Sequence, residues 1–494
     1  MLTRVPLLLL VALISAIAGC ADDASTIRRT ATAHSTVAVG SGLNDGGRPT
    51  KAQSTVSKST DNPEAIRPAC YDLPGDPFGN PSGSSVTFDE AIAATLQADP
   101  RLRSGYESVV QAHADLWTSK ILPNPSLLVD GIFLPVSHPF TPESPGGPPQ
   151  TDVQVTWQID WFLFGKRAAG ITSASLAVRQ SEADYADLIR TRVLATATAY
   201  YDVLEAKGLV DAARKDTENL KTFADVLEKA GGLGGRPQID LERARLELLK
   251  SQQGLREAES NLVAAKAKLR DLMGRADADP NFDVAGSLDT PLDGEPPSAD
   301  AAFELAQQNR PDIASLRLQV SKAQADVVVE RRKAFPQVTP MLGWSRQYQT
   351  VALRAPDADS LTTSLSVTLP MFDRNQGNRM KARSIAAQNS LNVEAGLVDL
   401  RSDIEQAVQE FRTAYSNARA VGDKQLKTAE SVLNAIKEAK NLGGRPLVDL
   451  LDAEREFRDT YRTYISNRAN YWRALYKFSA AVGKQIQPGQ ASQP

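Results

Sequence analysis

The chain opens on an apolar run from Val5 to Ile17, preceded by one charge at Arg4. That run is about half of the ~20 residues a helix needs to cross a bilayer, so it predicts a cleavable signal segment over 1–20 rather than a span. From Ala21 to about Ser85, Ser, Thr, Gly, Asp, Asn and Pro dominate and no apolar period is sustained, which predicts a disordered arm over 21–86. From Thr87 the period becomes helical. Phe88 to Lys120 and Ala301 to Lys333 each read as one amphipathic helix, stopped by Pro123 and Pro336. Lys166 to Lys229 and Asn378 to Lys440 are long stretches rich in Ala, Glu, Arg, Leu and Lys, and at ~1.5 Å per residue each predicts a rod of about 95 Å. Each is followed by a second helix, Gln238 to Met273 and Leu447 to Val482, with apolar positions recurring at three and four residues and many alanines, the pattern of a coiled-coil seam.

Between these helices the period changes to two. Val153, Val155, Trp157, Ile159 and Trp161 alternate with Gln154, Thr156, Gln158 and Asp160, and Leu361, Thr363, Leu365, Val367 and Leu369 alternate with Thr362, Ser364, Ser366 and Thr368. Such alternation predicts strands over about 152–162 and 361–370 with one apolar and one polar face. Their length fits the ~9 to 11 residues of a membrane-spanning β-strand with a polar lumen side, although half-buried soluble sheets show the same pattern. Partner strands are expected at about 126–134 and 337–349, separated from the first two by Pro- and Gly-rich or polar loops.

The elements recur in the same order, and so do some of the letters. Gln111-Ala112-His113-Ala114-Asp115 corresponds to Lys322-Ala323-Gln324-Ala325-Asp326, and Leu233-Gly234-Gly235-Arg236-Pro237 returns unchanged as Leu442-Gly443-Gly444-Arg445-Pro446. Ile121-Leu122-Pro123 likewise matches Ala334-Phe335-Pro336. Collinear matches at a nearly constant offset imply an internal duplication. Its first copy is expected at 87–274 with a hairpin turn at 231–237, and its second at 301–483 with a turn at 441–446. A connector at 275–300 joins them, and 484–494 forms a flexible tail.

Composition narrows the function. The 56 basic and 59 acidic residues are mixed along the 494-residue chain, so no basic patch invites nucleic acid. The three histidines lie far apart and no Cys/His spacing suggests a metal site; no cofactor is expected. No nucleophile-base constellation or phosphate loop marks an enzyme. Ile17-Ala18-Gly19-Cys20 looks like a bacterial lipobox, which makes Cys20 the candidate lipidated N-terminus, and the residue after it is Ala21, not Asp, as suits outer-membrane sorting. Lipidation of Cys20 leaves Cys70 without an intramolecular partner.

A protomer with four strands cannot close a transmembrane barrel, because its edges would face lipid with unpaired backbone groups. Three copies would supply twelve strands and a matching ring of helices. At this point the residues carry a resemblance to the TolC-like outer membrane factor family, in particular its lipoprotein branch and the cobalt-zinc-cadmium type of cation efflux channels. It covers about Thr87 to Gly483 and rests on Lys440 to Ala453, on Ile121-Leu122-Pro123-Asn124-Pro125-Ser126-Leu127, and on Arg310-Pro311-Asp312-Ile313. The resemblance implies a mainly α fold with membrane β: a trimeric 12-stranded β-barrel continued by a long periplasmic α-helical barrel, two tandem repeats per chain. It also implies a periplasmic adapter, an inner-membrane transporter of the RND type as partners, and a passive exit duct for heavy-metal cations or drugs in the outer membrane. A periplasmic adapter and a coiled-coil scaffold lipoprotein are the rival readings; an adapter should carry a single hairpin.

Asp449 and Asp452 share a helix face, and three copies would set six carboxylates around a narrow opening. By resemblance they match a periplasmic gate, with Arg445 helping to latch it; the first copy keeps Arg236 and Asp240 but has Arg243 in place of the second acid. First-turn acids beside Pro446 that merely stabilise a helix N-terminus fit the sequence equally well. The turns Leu233-Gly234-Gly235-Arg236-Pro237 and Leu442-Gly443-Gly444-Arg445-Pro446 are, by the same resemblance, adapter docking sites, and otherwise plain turns. Trp161, Phe162, Phe164, Trp344 and Tyr348 fit interfacial aromatic belts or ordinary packing.

Overall fold

The computed structural model describes residues 85–231, 238–275, 282–292, 294, 297–441 and 447–484, all within one contact unit, Phe78–Pro494; the other unit, Met1–Pro77, lies wholly outside them. The described chain is mainly helical with one four-stranded antiparallel sheet.

The stretch expected as one helix from Phe88 to Lys120 is two, α1 (Phe88–Ala98) and α2 (Pro100–Lys120). Pro100 has no N–H to continue the ladder and pushes Asp99 into extended geometry (ψ 116°), where its carboxylate caps the Arg101 N–H of the new helix at 2.9 Å. The same correction applies to 301–333, which divides into α6 (Ala299–Asn309) and α7 (Pro311–Lys333) at Arg310-Pro311. Both breaks are anchored by charge. Arg192 meets the buried Asp99 at 2.5 Å, while buried Arg310 holds Asp312 at 2.6 Å and Asp403 at 3.2 Å. Burial raises the Asp312 carboxyl, but the Arg310 guanidinium outweighs it and holds it below the ordinary range.

After α2 come β1 (Ser126–Ile132) and β2 (Gln150–Thr156), a short helix α3 (Asp160–Leu163), then α4 (Lys166–Gly231) and α5 (Gln238–Leu272). With 66 residues, α4 rises about 100 Å. After α7 come β3 (Val338–Gln347), α8 (Gln349–Leu353), β4 (Ala358–Val367), α9 (Gln376–Ala420), a π-helical turn at Val421–Gln425, α10 (Leu426–Asn441) and α11 (Leu447–Val482). The second rod is therefore interrupted where the sequence predicts continuity. Gly422 sits in the π turn, where a Cβ would come 3.1 Å from the Tyr464 ring, so the wound-out turn and the missing side chain together let α11 pass.

Strand bounds also shift. β1 ends at Ile132 because Phe133 turns left-handed (φ 54°). The strand expected over 152–162 pairs through Ile159, whose N–H reaches the Val338 carbonyl at 3.0 Å; at Asp160 the chain turns helical and its carboxylate takes Lys166 at 2.8 Å. Trp161 thus leaves the sheet. At the N-terminal end, Val86, expected in the structureless arm, pairs with Val284 in a parallel bridge.

The main core lies where α1, α4, α6, α9 and α11 meet. Phe411, Tyr471 and Phe478 are fully buried, Phe411 stacks on Phe478 at 5.8 Å, and Tyr201 stacks on Trp472 at 5.7 Å. Two smaller cores pin the far ends of the helix pairs: Ala224, Leu227 and Ala244 between α4 and α5, and Leu433, Leu450 and Ala453 between α10 and α11.

Candidate functional site

The sheet runs in the order β1-β2-β3-β4, so β2 and β3 join the two halves of the chain and β1 and β4 are open edges. Cross-strand partners project to the same side. On one side the register aligns Val129, Val153, Trp344 and Leu361 in one row, and Leu127, Val155, Leu342 and Thr363 in the next. On the other it aligns Asp130, Asp152, Ser345 and Ser360, and beside them Leu128, Gln154, Gly343 and Thr362. Leu128 and Thr363 apart, these apolar rows back onto polar rows. The strands are not solvated as in a water-soluble sheet: Leu361 is 71% exposed and Leu127 67% on the apolar side, whereas Asp152 and Ser345 on the polar side are buried, and on the edge strand β4 Ser360 and Thr362 are exposed. Part of the polar side is internally bonded, with Gln150 donating to Asp152 at 2.6 Å, Gln347 donating to Gln150 at 3.0 Å and the Ser345 and Ser360 hydroxyls 2.5 Å apart, while Asp130 Oδ1 is buried without a hydrogen bond among the described residues.

All four connections from sheet to helix leave from one end, where Ser126 pairs with Thr156 and Val338 with Val367; the opposite end carries the loops 133–149 and 348–357. Among the described residues no helix is long and apolar enough to cross a membrane, and no group of His, Cys, Asp and Glu is placed to hold a metal ion.

Asp449 and Asp452 lie in the first turns of α11, next to Leu450 and Ala453, which pack against α10. Asp449 is half-buried; Asp452 is 66% exposed, with Arg455 one turn on at 3.9 Å. Cys20, Leu233, Gly234, Gly235, Arg236 and Pro237, and Leu442, Gly443, Gly444, Arg445 and Pro446, lie outside the described residues. Asp240 and Arg243 occupy the first turns of α5.

The residues that tie the two helix pairs together near these ends were not singled out by the sequence. Arg455 reaches Glu247 on α5 at 2.8 Å, and Arg458 reaches both oxygens of Asp216 on α4 at 3.1 Å, with Ser251 donating to the same carboxylate at 2.7 Å. Burial raises the Glu247 carboxyl, yet the Lys250 hydrogen bond and the Arg455 charge bring it below its ordinary value. Arg455 and Arg458 are spaced to share one helix face, which was visible in the sequence, but their partners lie more than 200 positions away.

Comparison with known proteins follows the same lines. A family model described as "Outer membrane efflux protein" matches residues 143–275 and 302–484. The chain is 23% identical over 411 residues, 82% of its length and 92% of the relative's, to the cobalt-zinc-cadmium resistance protein CzcC of Cupriavidus metallidurans. It is 24% identical over 346 residues to the pyoverdine export outer membrane protein OpmQ of Pseudomonas aeruginosa, covering 67% of this chain and 68% of that one. Among solved structures, the CmeC outer membrane channel of Campylobacter jejuni superposes with a TM-score of 0.67 at 16% identity, over 88% of this chain and 94% of that one. CusC superposes at 0.66 and 17% identity, over 81% and 92%.

Proposed function

The chain belongs to the outer membrane efflux protein family, and from that premise we propose that three copies close one duct through the outer membrane and the periplasm. It is an outer-membrane channel of a tripartite efflux pump and not an enzyme. The single observation that carries the trimeric reading is the sheet with apolar side chains exposed, Asp152 and Ser345 on its polar side covered, and two open edges. Lipid solvates the first face and water the second, but nothing in lipid satisfies an edge. The strand order supports closure between copies: in an antiparallel sheet of four, β4 of one copy runs antiparallel to β1 of the next.

Within this reading Cys20 anchors the chain by a lipid, and the duct receives its cargo from an inner-membrane transporter of the RND type through a periplasmic adapter. The adapter meets the turns at 233–237 and 442–446. Asp449 and Asp452 form the acid ring of the periplasmic gate and Arg445 its latch. Heavy-metal cations are the first cargo to test, since resistance to them names the Cupriavidus relative, with drugs second. The open edges and the two helix pairs argue against the adapter and scaffold alternatives.

Cysteine pairs tested between the two edges, Val129→Cys with Leu361→Cys or Leu365→Cys, should give cross-linked dimers and trimers in native membranes. A scan along both edges that yields only monomer would end the shared-barrel reading.

A further inference from the structure

The end of the sheet where the four helices attach concentrates positive charge that the rest of the chain does not. Four stretches converge there, 118–124, 158–168, 328–337 and 370–384; together they hold ten Lys and Arg against three Asp and Glu, in a chain whose formal net charge is -3. The three acids are already engaged. Asp160 holds Lys166 at 2.8 Å, Glu330 holds Lys333 at 2.7 Å, and Asp373 accepts the Asn375 N–H at 2.8 Å. Arg331, Arg332, Arg374, Lys381 and Arg383 are exposed and have no ion-pair partner among the described residues. Exposed apolar side chains stand at the same level: Phe372 at 91%, Phe162 at 73% and Leu369 at 70%. The two kinds of group interleave, for the Arg332 guanidinium lies 6.0 Å from the Phe335 ring and that of Arg167 5.8 Å from the Trp161 ring.

An apolar belt bordered by unpaired cations matches one surface in particular, a monolayer whose acyl chains meet the belt and whose phosphates meet the charges. We infer that this collar binds the headgroups of anionic phospholipids in the periplasm-facing leaflet of the outer membrane. The leaflet follows from the topology, since the collar sits at the helix-bearing end of the sheet, away from the loops at 133–149 and 348–357. Guanidinium groups suit the role because they bind phosphate with paired donors while lying on aromatic faces. The collar would set the depth and tilt of the duct and favour an anionic lipid annulus. This rests on the barrel reading above.

The test uses the full-length wild type and a variant carrying Arg331→Gln, Arg332→Gln, Lys381→Gln and Arg383→Gln, reconstituted in vesicles of phosphatidylcholine with increasing phosphatidylglycerol. Lipids retained on repurification are measured by mass spectrometry. Wild type should enrich phosphatidylglycerol over phosphatidylcholine about tenfold, less so at high salt. The glutamine variant should lose that enrichment, and a charge-preserving variant with Arg331→Lys, Arg332→Lys, Lys381→Arg and Arg383→Lys should keep most of it. Equal enrichment in wild type and glutamine variant overturns the collar. So does a glutamine variant whose lipids are unchanged while its reversal potential in planar bilayers shifts, because the charges would then face the lumen. Wild-type protein that forms pores without any lipid preference overturns the collar and leaves the barrel standing; failure of the wild type to insert into any bilayer overturns both.

Discussion

The Arg458–Asp216 pair gives the most quantitative handle on what holds the two helix pairs together. Replacing Asp216 by Ala removes two contacts at 3.1 Å from Arg458 and one at 2.7 Å from Ser251. The pair is neither free nor fully buried: the side chains are 18% and 16% exposed. An exposed pair is worth roughly 0.2–1 kcal/mol and breaking a buried one costs roughly 3–5 kcal/mol. At this accessibility the loss should be about 2 kcal/mol, or about thirtyfold in the local opening equilibrium. Amide hydrogen exchange in detergent reads it directly. Protection over 212–220 and 454–462 should fall about thirtyfold in Asp216→Ala and by a similar factor in Arg458→Ala, while the core around Phe411 is unmoved. The double variant should be little worse than either single one, because the second substitution removes a group already without its partner. Additive losses in the double variant, or protection unchanged in either single variant, would refute the reasoning.

Other outcomes follow from neighbouring groups. Glu247 has a folded pKa below its ordinary value of 4.5, so its stabilisation of the α5–α11 contact is fully present above about pH 4.5 and is lost as pH falls through the lower folded value. Exchange protection there should drop on acidification in the wild type, and a Glu247→Gln variant should lack that pH step. Asp449→Ala together with Asp452→Ala should raise single-channel conductance or weaken block by divalent cations; unchanged bilayer currents would remove those residues from the gate.

Much of the helical architecture was legible because it follows from local chemistry. The start of α1 is written in Thr87 and Glu90, which form a reciprocal capping box. The ends of α2 and α7 follow from Pro123 and Pro336, and the rods from long runs free of proline. The breaks at Asp99-Pro100 and Arg310-Pro311 were just as local, but a proline at the first position of a helix also continues an amphipathic pattern, and the period alone does not tell one helix from two. The π turn left no such trace: it exists because Tyr464, about forty residues on, must pass Gly422.

The sequence by itself determined where the long helices and the four strands lie, where an apolar face alternates with a polar one, and that the chain carries no evident catalytic constellation. Those properties depend on residues within one or two turns of each other. Only the tertiary structure decided the order β1-β2-β3-β4, the alignment of Asp130, Asp152, Ser345 and Ser360 into one polar row, and the partners of Arg455 and Arg458. Pairings of this kind join groups from distant parts of the chain, and many arrangements share the same local pattern. What selects one of them is packing and the need to satisfy each buried charge and backbone group, which only the assembled fold can fix.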